Sequence, residues 1–127
     1  MKNKIYINDL HLDHKVWRNQ LNFQKEELTF FKNRLEEIVS RWTDDEVLQQ
    51  VEHFQNSFLV QSNKIDELLH GINIHADNLV AEAKSNPTAI DHVHFDDHTT
   101  QRDQIETQWK LYNELKEEYL NFLRKVM

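Results

Sequence analysis

Eight histidines are spread through the 127 residues, and four of them, His14, His75, His94 and His98, stand where a helical heptad asks for a core hydrophobe. A neutral imidazole carries one free nitrogen lone pair, so several rings that converge can hold a divalent transition metal: Zn, Ni, Cu or Fe(II). His94 and His98 form an H-x-x-x-H pair, the spacing that sends two rings to one side of a helix and onto one ion. His75 and His14 complete the candidate metal set from other helices. Asp91, Asp97 and Glu82 are the carboxylates expected to serve as further ligands or as acceptors for ring N–H groups.

Other chemistry finds little footing, and no catalytic or organic-cofactor residues are assigned. Glu67-Leu68-Leu69-His70 has the E-x-x-H spacing of di-iron bundles, but it occurs once where such sites need it twice, and its outer residues flank the core position Leu68. There is no Gly-rich phosphate loop, no nucleophile motif and no H-E-x-x-H. His11 lies one turn from His14 at the rim, while His53, His70 and His92 are expected to face water.

Composition narrows the class. The chain has no cysteine, which excludes disulfides and thiolate metal sites. Its formal charge of −7, with no Lys/Arg-rich stripe, opposes nucleic acid and anionic membranes. The short apolar patch Ile5-Tyr6-Ile7 is too brief for a signal sequence, and no run approaches membrane-spanning length. A cytoplasmic protein is the expectation.

One glycine and one proline leave almost none of the punctuation that sheets need. Rich in Glu, Lys, Gln and Leu, the chain reads as all-α, a single domain over 1–127 with helices at about 9–42, 44–85 and 88–127. The first seam, from Leu10 through His14, Trp17, Leu21, Gln24 and Leu28 to Trp42, keeps alternating spacings of 4 and 3; Val16, Phe23 and Phe30 are expected to widen it. The second runs from Val47 through Phe58, Gln61, Ile65 and His75 to Leu79, with Leu48, Leu59, Leu69 and Val80 alongside. Thr43-Asp44-Asp45-Glu46 has capping-box spacing and marks the first turn; Asn86-Pro87 marks the second. Gly71 interrupts the second pattern and is a candidate bend.

Short connections force antiparallel neighbours, so the architecture expected is an up-down-up three-helix bundle of long, coiled-coil-like helices. Setting Trp42 opposite Val47 and Leu79 opposite His94 orders the layers. Among them are Leu35/Phe54/Tyr119, Phe31/Phe58/Leu115, Gln24/Ile65/Gln108 and His14/His75/His98, with Leu10/Leu79/His94 last. Gln24, Gln61, Gln108 and Tyr112 should share one buried hydrogen-bonded cluster that penalises slipped registers. The histidine layer falls near the open end, where a half-wet core accommodates imidazole without any ligand.

The stretch Glu46-Val47-Leu48-Gln49-Gln50-Val51-Glu52-His53-Phe54-Gln55-Asn56, with Asp66-Glu67-Leu68-Leu69-His70 and Tyr119-Leu120-Asn121-Phe122-Leu123, resembles a group of uncharacterised helical proteins from Bacteroidetes. That resemblance covers most of the chain and implies no activity. One early histidine plus a later H-x-x-x-H is similar to the three-histidine site of DinB-like bundles, with His75, His94 and His98 at the matching positions. It implies metal-dependent chemistry, although that family has four helices and a longer chain.

Two classes of function follow. The first is a non-catalytic interaction or structural bundle, with wide apolar seams that suit a homodimer or another protein partner. The alternative is a transition-metal-binding bundle with its histidine site at one end, in the DinB-like case a metal-dependent enzyme.

Overall fold

The computed structural model describes residues 7–85 and 92–126, and the side chains of 9–82, 84 and 96–126. It contains three helices: α1 (Ile7–Arg41), α2 (Asp45–Ser85) and α3 (His92–Val126). No strand occurs among the described residues. None of the helices is long and apolar enough to cross a membrane. The turn expected at Asn86-Pro87, and residues 88–91 of the third helix, lie outside the described residues.

The first turn shows how the chain is reversed. Trp42 N–H closes the last bond of α1 onto the Ile38 carbonyl, and Asp44 then takes over as the cap of α2. Its Oδ1 accepts from the amides of Glu46 (2.8 Å) and Val47 (3.2 Å), satisfying two donors that the first helical turn leaves open. The cap is therefore Asp44, one residue beyond the Thr43 that capping-box spacing suggests; a carboxylate at the positive end of the helix dipole does the same work with a full charge.

Pairings along the rod give its direction. Ring centroids of Phe31 and Phe58 are 5.9 Å apart and those of His14 and His75 5.1 Å, so α2 runs antiparallel to α1. Phe54 with Phe122 (5.2 Å) and His75 with His98 (5.3 Å) reverse α3 against α2, which leaves α1 and α3 parallel. The three helices form the expected all-α, up-down-up bundle. Its core is the predicted seam: Leu21, Leu28, Leu35, Val51, Phe58, Ile65, Ile72, Ile105 and Tyr119 are all buried. Tyr119 sits among Phe31, Phe54 and Phe58 and donates its hydroxyl hydrogen to the Phe31 carbonyl at 3.1 Å, so the polar tip of a buried aromatic is satisfied.

Polar pairs flank each seam. Lys25–Asp66 (2.7 Å) links α1 to α2, Glu27–Lys116 (2.8 Å) links α1 to α3, and His53–Glu118 (3.0 Å) links α2 to α3. The exposed Lys25–Asp66 and His53–Glu118 pairs contribute at most about 1 kcal/mol each, so they tune register more than they hold the rod together. His53, expected to face only water, has a carboxylate partner.

The glutamines meet as the layers require. Gln108 Nε2 donates to Gln24 Oε1 (3.2 Å) and to Gln61 Oε1 (2.7 Å), one contact to each neighbouring helix. Tyr112 does not join them. Its hydroxyl turns outward to Glu27 Oε1 at 2.6 Å, a charged acceptor that outcompetes a neutral amide.

The apolar stripes beside the seams are narrower than periodicity implies. Val16, Phe23, Phe30, Leu59 and Val80 are exposed, Phe30 by 72%, and only Leu48 and Leu69 are half-buried. With three helices each core-facing arc is limited to the seam and its nearest flanks. Residues two positions from it fall on the outside. α2 continues through Gly71 without a break or a positive φ.

Candidate metal centre

The histidine layer lies between two apolar levels. Toward the middle of the rod it rests near Trp17 and Ile72, and toward the end Leu10 and Leu79 are buried beyond it. The expectation of a frayed, half-wet end is therefore corrected. His14, His75 and His98 are exposed by only 0%, 6% and 1%.

Each ring comes from a different helix because each occupies a seam position of the same layer. The centroids form a nearly equilateral triangle, with sides of 5.1, 5.1 and 5.3 Å. Such separations also suit ordinary packed rings. The nitrogens distinguish the two cases. One ring nitrogen from each histidine lies within 4.8 Å of those from the other two, and a tetrahedral ion with Zn–N bonds of about 2.0–2.1 Å would draw its donors to about 3.4 Å apart.

Hydrogen bonding fixes part of the proton arrangement. His98 Nε2 lies 3.0 Å from Asp13 Oδ2, and an ionised carboxylate can only accept, so Nε2 carries the hydrogen. Nδ1 of the neutral ring is then the bare lone pair. That atom is buried and has no hydrogen-bond partner among the described residues, and the same is true of His14 Nδ1. Two orphaned imidazole nitrogens in one dry layer cost about 1–3 kcal/mol apiece if nothing binds them. His14 Nε2 lies 3.1 Å from His75 Nδ1 and 3.2 Å from Gln101 Oε1, so one imidazole edge is shared between a ring and an amide.

The surroundings hold these rings in place. Trp17 stacks on His98 with centroids 4.8 Å apart and planes 28° from parallel. Asp13 is itself held by Arg102 Nη2 at 3.3 Å. A carboxylate accepting from the far nitrogen of a histidine is the device that orients metal ligands and raises their basicity. Burial pushes the His14 pKa down from 6.5 to about 4, helped by the neighbouring rings His98 and His75. Burial also lowers that of His98, with the Asp13 hydrogen bond opposing it. Rings held neutral keep their lone pairs available for coordination.

Of the four histidines expected at the site, three are brought together. His94 lies in α3 one turn before His98, and its side chain is outside the described residues. His11 is half-buried at the rim, with its ring 6.4 Å from that of His14. The E-x-x-H residues Glu67 and His70 are both exposed and point away from the core. Among the expected carboxylates, Asp97 is exposed, Glu82 half-buried, and Asp91 outside the described residues. The carboxylate on a triad ring is instead Asp13, which directly precedes His14 on the α3 side of α1. Gln101, three residues beyond His98 on α3, also reaches the triad, with its amide beside Gly71.

No protein-family model, curated protein or solved structure matches the chain.

Proposed function

We propose that this protein binds one divalent transition metal ion, Zn, Ni or Fe(II), through His14, His75 and His98. The observation that carries the reading is the convergence of three buried imidazoles from three helices, two of which have a nitrogen without a hydrogen-bond partner among the described residues. Three neutral nitrogen donors suit these borderline ions better than Mg or Ca, which prefer oxygen. Asp13 supports the reading in two ways: it presets the His98 tautomer with Nδ1 bare, and it places negative charge behind a ligand that becomes more positive on coordination. An ion held in this way ties all three helices together, a role that suits a non-catalytic bundle. Three protein ligands also leave a coordination position for a further group, as catalytic sites require.

Calorimetric titration of zinc into chain produced without a His-tag tests this. Saturable one-to-one binding is expected in the wild type and in a His53→Ala/His70→Ala control, and its loss in His14→Ala/His98→Ala. No saturable phase in the wild type, or one that survives removal of His14 and His98, would overturn it.

A further inference from the structure

Resting on that metal reading, we infer that the fourth coordination position opens sideways into a cleft between α2 and α3, where it takes a small exogenous oxygen- or nitrogen-donor ligand.

Among the described residues, the end of the layer, the level beneath it and its α1/α3 side are covered. Leu10 and Leu79 close the end of the rod, and Ile72 closes the level beneath. On the α1/α3 side, Trp17 covers a face of His98 and the Asp13–Arg102 pair bridges the two helices. Between α2 and α3 the surface instead dips into a pocket of about 230 Å³ whose lining includes Gly71, His75, Asp97, Thr100 and Gln101. His75 is the most exposed triad member, and it lines this pocket.

Two residues make the cleft more than a surface dimple. At Gly71, α2 carries no side chain on the wall facing α3; a Cβ there would lie 3.7 Å from Gln101 Nε2. Gln101 spans the cleft from the other side, with Oε1 on His14 Nε2. Its amide therefore joins the triad to the pocket wall. The volume admits a molecule of a few heavy atoms, and the polar lining of Asp97, Thr100 and Gln101 favours one that both donates and accepts hydrogen bonds.

The test uses cobalt(II), whose visible absorption reports its coordination, with azide as the small ligand. Cobalt(II)-loaded wild-type protein should change its spectrum saturably on azide addition. Gly71→Leu, which fills the cleft from α2, should weaken azide by about tenfold or more while leaving cobalt affinity nearly unchanged. Thr100→Phe fills the same cleft from an exposed position on α3 and should behave alike, so the test survives a folding failure of the glycine variant. Cobalt bound normally but with no spectral response to azide, or azide affinity unaltered in both filled variants, overturns the open cleft and leaves the metal reading standing. Failure of the wild type to bind cobalt overturns both.

Discussion

At the residue scale, the three histidines act through what surrounds them. Their burial depresses the His14 pKa to about 4 and lowers that of His98, whereas both titrate near 6.5 in the unfolded chain. Below that value the unfolded chain therefore binds protons that the folded chain refuses. Stability of the metal-free protein should be fully present above about pH 6.5 and decline as pH falls toward the folded value of His14, near 4, with a slope approaching about 1.4 kcal/mol per pH unit for each such group. Chemical unfolding in the presence of a chelator at several pH values checks this. His14→Leu should flatten the decline, and an identical pH profile in that variant would contradict the assignment. The histidine positions were legible in the sequence because heptad spacing places a side chain on the core whatever its type. Asp13 was not, since an exposed-looking acid beside a seam residue is indistinguishable from any solvated one until α3 is docked and His98 and Arg102 meet it.

At the element scale, the same heptad logic predicts which helix faces pair but not how wide each buried face is. The three seams were readable because spacings of 4 and 3 persist along each, and the glutamine contacts followed from placing them in adjacent layers. Phe23 and Phe30 were misjudged because a third helix covers less of α1 than their hydrophobicity invites. Tyr112 was misjudged because its long side chain reaches past the layer to the Glu27 carboxylate. Gln108→Leu should therefore cost about 1–3 kcal/mol, because it strands the Gln24 and Gln61 carbonyls together, and denaturant unfolding would measure that loss. A neutral result would mean that the amides find water as readily as each other. Gly71→Ala should act in the opposite direction. An added methyl would stand at ordinary contact distance, 3.7 Å from Gln101, and the helix would gain up to about 1 kcal/mol. Destabilisation in the same assay would show that the glycine is needed for backbone geometry rather than for the space beside it.

At the scale of the whole molecule, the rod joins an aromatic half, built around Tyr119 and its phenylalanine neighbours, to a half whose core holds a layer of imidazoles between apolar levels. The His14 and His98 rings each keep a buried nitrogen that no described residue hydrogen-bonds, so the histidine layer should be the least stable part of the apo bundle and the part most improved by a ligand. Because the three donors come from three helices, an ion that binds them binds only the folded chain, and its binding energy becomes folding energy. The most direct test is thermal unfolding of untagged protein at pH 7.5 with and without zinc, alongside the His75→Ala/His98→Ala variant. Zinc at roughly a hundred times its dissociation constant should raise the wild-type midpoint by about 10 °C and leave the variant unmoved. A wild-type midpoint unchanged by excess zinc and by excess nickel, or a rise of equal size in the variant, would contradict the metal centre.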